Sequence, residues 1–159
     1  MEPNKSTSTD LEPAPVPVML SVRGEQYFDG CDPDNTELMT EGTMTLLPDG
    51  LLLRYEESEL TGMEGTTTTF AVGSDHVVLT RTGSIESQMV FEKGKRNVSL
   101  YDMGFGALTI GVKARRLKNE LGPEGGRLEI SYGIEIEDQI QGLNSFVIDV
   151  RKPQSSPIN

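Results

Sequence analysis

The sequence predicts an all-β protein, folded as an antiparallel up-and-down β-barrel of about 8–10 strands. The first reason is an alternation of apolar and polar residues, clearest at Leu128, Ile130, Tyr132, Ile134 and Ile136. Because successive strand residues point to opposite faces, one face of this segment is apolar and the other is wet. The second reason is that similar segments recur at short intervals. Such short links favour antiparallel pairing, and closure into a barrel rather than a sandwich removes exposed edges.

The first five predicted strands are separated by residues that favour turns. They cover 18–22, 38–46, 51–57, 66–69 and 77–82. The Pro-Asp-Gly sequence at 48–50 turns the chain into the third strand, and Gly62 and Gly65 bracket the turn into the fourth. The fourth strand is a run of threonines, whose β-branched side chains favour extended backbone. The Gly-Ser-Asp sequence at 73–75 turns the chain into the fifth.

The last five predicted strands follow in the same way. They cover 85–91, 98–101, 108–121, 128–136 and 143–150. Gly83 precedes the first of them, Lys-Gly at 93–94 the second, and Gly-Phe-Gly at 104–106 the third. The Gly-Pro-Glu-Gly-Gly sequence at 122–126 interrupts the alternation, and we predict the final turn at 138–142. The last strand presents Phe146, Ile148 and Val150 on one face.

The chain of 159 residues is long enough for one core. We predict a single β-barrel domain at 17–152, a disordered N-terminal tail at 1–16 and a disordered C-terminal tail at 153–159. The N-terminal stretch lacks the apolar run of a signal peptide, and no segment approaches the ~20 apolar residues of a membrane helix.

Charge and cysteine content restrict the partners and the compartment. With 25 acidic and 14 basic residues, the formal net charge is −11. An acidic surface repels phosphate backbones and anionic lipid, so we expect neither a nucleic-acid nor a membrane partner. Cys31 is the sole cysteine, which rules out an intrachain disulfide. We therefore expect a cytoplasmic protein.

One stretch of the sequence resembles a known family. From Tyr55 to Thr68 the chain reads Tyr-Glu-Glu-Ser-Glu-Leu-Thr-Gly-Met-Glu-Gly-Thr-Thr-Thr, which resembles the signature of the YwiB-like family of bacterial proteins. The resemblance spans about 18–150 and continues at Arg81-Thr82-Gly83, Phe105-Gly106 and Glu124-Gly125-Gly126, with Leu128 and Tyr132. It departs at Met103, where the family pattern has proline. The resemblance implies a calycin-like barrel of unknown function, similar to lipocalins and fatty-acid-binding proteins, with no catalytic residues to transfer.

Polar residues that share parity with apolar ones are expected inside the barrel, where a ligand would bind. If Leu51 and Leu53 face inward, then Tyr55 and Glu57 do so too, because they are odd-numbered residues of the same strand. If Phe70 and Val72 face inward, then so do Thr66 and Thr68. The candidate ligand-binding residues are Arg81, Tyr55, Glu57, Thr66, Thr68 and Tyr132. Gln26 has the same parity as the apolar residues of the first strand.

Arg81 is the preferred site residue, because an inward guanidinium can hold a ligand carboxylate bidentately. Two alternatives stay open. Arg81 pairs with Glu57 as a buried structural ion pair, or it faces solvent because Val78 rather than Val77 is buried.

The sequence carries no catalytic motif, and we expect no cofactor and no metal. Glu56, Glu57 and Glu59 form an acidic cluster, which we interpret as a solvated rim rather than an acid–base pair. His76 is interpreted as a turn residue. The acidic residues between Asp29 and Glu37 lack the glycine of a calcium loop, and Gly-Phe-Gly at 104–106 precedes a strand rather than the helix of a dinucleotide site.

Three functions remain, in order of preference. The first is a non-enzymatic barrel that binds a small, partly apolar molecule, which can carry a carboxylate. The alternative is a packed barrel whose outer face binds a protein or a second copy of the chain as a homodimer. A carboxylate-based hydrolase is the least favoured. The one basic cluster, Lys113, Arg115, Arg116 and Lys118, would serve the outer-face function, but we interpret it as protection of a strand edge.

Overall fold

The computed structural model describes residues 14–27, 34–59, 62–102, 107–136 and 139–153. Ten strands fill most of these ranges. Their bounds are β1 Val16–Tyr27, β2 Asp34–Leu47, β3 Gly50–Glu56, β4 Thr66–Val72, β5 His76–Gly83, β6 Glu86–Glu92, β7 Arg96–Asp102, β8 Ala107–Gly122, β9 Gly125–Ile136 and β10 Gln139–Arg151. Most of both predicted tails, together with Cys31 and the Met103–Gly106 segment, lies outside the described residues.

The strands form a closed barrel in which every strand pairs antiparallel with its neighbours in the chain. Pairing between β1 and β10 closes the circle, with Leu20 opposite Val150 and Val22 opposite Ile148. The predicted antiparallel up-and-down barrel is confirmed. Within the described ranges, no helix is long and apolar enough to cross a bilayer.

The barrel interior is built from the alternate residues that the sequence pattern selects. Side chains with almost no exposed surface come from strands all around the barrel; among them are Leu20, Leu53, Phe70, Leu79, Phe91, Leu128, Ile130 and Ile148. Burying a side chain of this kind contributes about 1.5–3 kcal/mol, so this set supplies much of the folding free energy.

The last predicted turn is wrong. The sequence places a turn at 138–142, but β10 already begins at Gln139, which pairs with Ile136. The pairing of β10 with β9 shifts between Ile140 and Gly142. A β-bulge absorbs a glycine without ending a strand, whereas in the sequence the same glycine indicates a turn.

The interpretation of the basic cluster as protection of an edge is also wrong, because β8 is paired on both sides, with β7 and with β9. The β8–β9 register shifts between Ala114 and Arg116. This bulge leaves the two neighbouring arginines, Arg115 and Arg116, both exposed on the outer face. Arg116 lies 3.4 Å from a carboxylate oxygen of Glu129 on the next strand.

One seam of the barrel is thin. Strands β6 and β7 pair at Glu86–Asp102 and Ser87–Tyr101, and no register pair is found along the rest of the two strands. Towards the far end of β6 the wall is closed instead by β8, because Lys93 forms a bridge with Ala114 and the Gly94 amide donates to the Ala114 carbonyl.

Candidate functional site

A cavity of about 580 Å³ occupies one end of the barrel. This end is formed where the odd-numbered strands finish and the even-numbered strands begin. The lining is mostly apolar and includes Val22, Leu38, Met63, Met89, Ile110, Ile134, Ile136 and Phe146. Barrels of this size either fill their interior or keep room for one small ligand, and this volume lies within the usual range of ligand pockets.

Three buried polar side chains enter the cavity from the part of the wall that β3, β4 and β5 form: Tyr55, Glu57 and Arg81. Tyr55 lies in β3 opposite Thr68 of β4, and Thr68 in turn lies opposite Arg81 of β5. Glu57 follows β3 directly, and its amide donates to the Thr66 carbonyl at 2.9 Å, which prolongs the β3–β4 ladder. The alternation of the strands therefore carries all three side chains to the same inner surface.

The Glu57 carboxylate is held by its neighbours. Its side chain is 1% exposed, and Oε2 accepts a hydrogen bond of 2.5 Å from the Thr68 hydroxyl. The Tyr55 hydroxyl also interacts with this carboxylate. Arg81 supplies the opposite charge, with 3.9 Å between its Nε and Glu57 Oε2.

The environment of Tyr55 strongly favours its neutral form. Burial is the largest cause that raises the pKa of the Tyr55 hydroxyl, and the nearby Glu57 carboxylate raises it further. Arg81 acts in the opposite direction but does not cancel these effects. Tyr55 therefore stays a hydrogen-bond donor throughout the physiological pH range.

Two residues that line the cavity each hold a buried polar atom with no hydrogen-bond partner among the described residues: Nε of Arg81 and Oδ1 of Asn144. Arg81 is 8% exposed and Asn144 is 5% exposed. A buried polar group without a hydrogen bond costs about 1–3 kcal/mol, so a rotation of either side chain towards a bound molecule would gain a missing hydrogen bond. They lie on β5 and β10, which are on opposite sides of the ten-strand circle.

The predicted site residues divide into two groups. Arg81, Tyr55, Glu57 and Tyr132 line the cavity, as does Gln26, whereas Thr66 and Thr68 are buried but do not line it. Thr68 instead donates a hydrogen bond from its hydroxyl to the Glu57 carboxylate. Of the alternatives for Arg81, the solvent-facing one is wrong, because Val77 is 0% exposed and Arg81 shares its inward parity. The ion pair with Glu57 is present.

Asn144 is a buried polar residue of the cavity that the sequence analysis did not predict. It has the same parity as Phe146, Ile148 and Val150, so the alternation of β10 contained the signal. Asn144 lies near the start of the predicted strand at 143–150, whose inward face was recognised only from its apolar residues.

Aromatic rings form the wall between the cavity and the packed core. Tyr132 packs against Phe91 with ring centroids 4.7 Å apart and against Phe146 at 5.9 Å. Phe146 in turn meets Phe70 edge-on at 6.1 Å. Rings in such arrangements stabilise one another beyond their burial, which fixes the shape of the cavity floor.

The other candidate groups lie elsewhere. Glu57 is buried rather than part of a solvated rim, whereas Glu56 is exposed and accepts a hydrogen bond from the Thr67 hydroxyl. His76 begins β5 rather than lying in a turn, and its Nδ1 is 3.1 Å from the exposed Asp75 carboxylate. Over the described ranges, no group of His, Cys, Asp and Glu side chains could hold a metal ion. The acidic loop residues Asp29 and Asp32 are outside those ranges.

Comparison with known proteins agrees with this architecture. A solved structure, the crystal structure of the ywiB protein from Bacillus subtilis, superposes with a TM-score of 0.80 over 92% of this chain and 99% of that one, at 21% sequence identity. The sequence is also 26% identical over 133 residues to the uncharacterized beta-barrel protein YwiB of Bacillus subtilis (strain 168), which covers 83% of this chain and 91% of the relative. The domain of unknown function DUF1934 matches residues 20–148. The resemblance seen in the sequence is thereby confirmed, and the chain belongs to the DUF1934 family of YwiB-like β-barrel proteins.

Proposed function

We propose that this protein binds a small, partly apolar molecule in the cavity and performs no chemistry on it. The observation that carries the proposal is a mostly apolar cavity of about 580 Å³ whose lining includes two residues, Arg81 and Asn144, that each hold a buried polar atom without a hydrogen bond among the described residues. Protein interiors are normally packed to the density of organic crystals, so a mostly apolar cavity of this size at the end of a barrel supports the binding of a small molecule there.

The arrangement of the polar groups supports binding rather than catalysis. Glu57 is engaged by the Thr68 hydroxyl and by the charge of Arg81, and an acid–base catalyst needs a carboxyl group poised to exchange protons with a substrate. Tyr55 keeps its proton because burial raises its pKa. These groups are suited to holding a fixed pattern of hydrogen bonds.

The direct test is native mass spectrometry of the protein purified from the cytosol of its own host, followed by denaturation to release and identify anything bound. A stoichiometric small molecule supports the proposal. An interior that is empty in every preparation, together with no binding of apolar probes, contradicts it.

A blocked cavity provides the matched control. The substitution Ile134→Trp introduces a large ring into the cavity lining and should abolish recovery of the bound molecule. Val98→Trp places the same ring on the outer face, where Val98 is 62% exposed, and should leave recovery unchanged. Equal recovery from both variants would place the molecule outside the cavity.

Binding of a protein partner or a second copy through the outer face is the second candidate. The bulge in β8 supports it, because it exposes Arg115 beside Arg116, and no ion pair of Arg115 is found with the described part of the chain. Reversing both charges, Arg115→Glu with Arg116→Glu, should abolish such an association in analytical ultracentrifugation while the circular dichroism spectrum is retained. Binding in the cavity should be unaffected.

A further inference from the structure

We infer that the polar end of the bound molecule is uncharged and that the protein discriminates against a free carboxylate. This inference rests on the proposed function, since it concerns the same cavity, and it narrows the ligand to neutral molecules such as amides or alcohols with an apolar body. It also reverses the role expected for Arg81 from the sequence.

The first step is the charge balance inside the cavity. Among the described residues of the lining, Arg81 is the one buried cation, and Glu57, whose side chain is 1% exposed, lies 3.9 Å from it. The pair is therefore neutral as a unit. The other carboxylate on the described part of the lining is Glu25, which is exposed, and it adds negative charge at the mouth.

The second step is the cost of a ligand carboxylate. Beside Arg81, it would bring a second buried negative charge within reach of Glu57, with one cation to serve both. Two carboxylates that share a site repel each other, so one of them must take up a proton or leave. A neutral oxygen faces no such cost.

The third step is what the cavity still offers. The Arg81 guanidinium lines the cavity and carries several N–H donors, of which Nε makes no hydrogen bond within the described residues, so it suits an acceptor oxygen such as a carbonyl or hydroxyl. On the opposite wall, the Asn144 amide lines the cavity, and its Oδ1 makes no hydrogen bond within the described residues. A neutral amide or alcohol can offer a donor as well as an acceptor to these groups, whereas an ionised carboxylate is an acceptor only.

The apolar lining fixes the rest of the molecule. Between the two walls lie aliphatic and aromatic side chains, including Leu38, Ile110, Ile134 and Phe146. A short hydrocarbon chain or a ring of similar size would remove this surface from water.

A pair of matched probes tests the inference: octanamide and octanoate, which have the same chain and differ in the head group. We expect octanamide to bind the unmodified protein at least about tenfold more tightly than octanoate at pH 7.5, as measured by isothermal titration calorimetry. A tenfold difference corresponds to a shift of about one unit in the pKa of a carboxyl group, which is a modest effect for two carboxylates that share a site. This comparison needs no variant. Tighter binding of octanoate would overturn the inference.

The variant Glu57→Gln tests the cause. Removing the negative charge leaves Arg81 free to take a ligand carboxylate, so the affinity for octanoate should rise by about tenfold or more while that for octanamide changes little. The matched control is Glu56→Gln, one residue away, because the Glu56 carboxylate is exposed and bonded to Thr67 on the outer face. This control should keep the preference of the unmodified protein.

The outcomes separate the two proposals. If both probes bind but the preference is for octanoate, or the ratio is the same in the Glu57→Gln variant, the inference is wrong and the cavity still binds partly apolar molecules. If neither probe binds the unmodified protein or a folded Glu57→Gln variant, the proposed function itself is contradicted for such molecules.

Discussion

The ion pair between Glu57 and Arg81 joins the energetics of the fold to the chemistry of the cavity. Both side chains are more than nine-tenths buried, at 1% and 9% exposure. A buried pair gains little net stability over an apolar pair of the same size, because the attraction mostly offsets the loss of hydration. Its partners nevertheless depend on each other, because removing one leaves an uncompensated charge.

Replacing Arg81 with methionine should therefore destabilise the protein by about 3–5 kcal/mol. Glu57 would remain buried with its two hydroxyl neighbours but without its counter-charge. Urea unfolding followed by circular dichroism measures the change. The double variant with Glu57→Gln should recover most of the loss, and additive losses in the double variant would show that the two charges are not coupled.

Tyr55 gives the fold a dependence on alkaline pH. Burial first, and then the Glu57 carboxylate, raise the pKa of its hydroxyl above the ordinary value of about 10. Above that pH the unfolded chain releases this proton and the folded chain keeps it. The folded state then binds more protons, so the stability from Tyr55 is complete below about pH 10 and is lost as the pH rises further.

We expect the free energy of unfolding to fall more steeply above about pH 10 in the unmodified protein than in the variant Tyr55→Phe. Urea unfolding at intervals of pH measures the two slopes. The comparison variant is Tyr27→Phe, whose hydroxyl is at the exposed rim and donates to Glu25. Equal slopes for Tyr55→Phe and the unmodified protein would contradict the raised pKa.

At the scale of single residues, alternation alone predicts much of the site. It identifies the inward orientation of Tyr55, Glu57 and Arg81 because side chains repeat every second residue. It does not show which inward residues meet. Thr68 and Arg81 are brought together by the β4–β5 register, and this register depends on the geometry of the turn between the two strands, which alternation does not specify.

Among the elements, β2 shows how closely neighbouring strands approach each other at a glycine. Gly42 has the inward parity of Leu38 and Met44 and lies opposite Val18 of β1 and Tyr55 of β3. A Cβ atom at this position would be 2.7 Å from Cδ1 of Leu20 and closer still to the carbonyl oxygen of Arg54. Only a residue without a side chain allows this close approach.

The substitution Gly42→Ala should therefore cost about 1–3 kcal/mol through overpacking. Thermal and urea denaturation measure the loss. Gly122→Ala provides the control, since a Cβ there meets nothing within 4 Å and the effect should stay within about 0.5 kcal/mol. A neutral Gly42→Ala variant would mean that the wall of the barrel adjusts at no cost.

The existence and order of the strands could be predicted from the sequence, but their irregularities could not. The pairing register with β9 shifts once in β8 and once in β10, each time at a β-bulge. A bulge adds one residue to one strand only, so it becomes visible when two strands are compared. For this reason Gly142 was misinterpreted as part of a turn while the strands around it were correct.

The thin seam predicts where the barrel opens. Between Gln88 and Glu92, β6 has ladder partners on β5 but no register pair on β7. Hydrogen exchange followed by NMR should therefore show faster exchange for the amides of β6 that face β7 than for those of β9, which is paired along both sides. Uniform protection around the barrel would contradict this expectation.

For the whole molecule, the sequence predicts closure but not the cavity. Alternation identifies the residues that face the axis, and closure is expected because it removes the exposed edges of the sheet. Whether inward side chains from opposite walls meet depends on their lengths, on strand tilt and on the bulges that bend the wall. At the packed end, Val18 and Val150 fill the interior, whereas at the other end Val22 and Asn144 face an open space.

The pairing of β1 with β10 brings Met19 opposite Arg151, at the end of the barrel remote from the cavity. The point where the chain enters the barrel is therefore next to the point where it leaves. A short linker from Arg151 to Val16, with new termini cut at the exposed Gly94 in the β6–β7 turn, should give a circularly permuted barrel. The order of the strands around the ring would be unchanged. Fusion partners attached before Val16 or after Arg151 would likewise lie at the end of the barrel remote from the cavity and leave its mouth unobstructed.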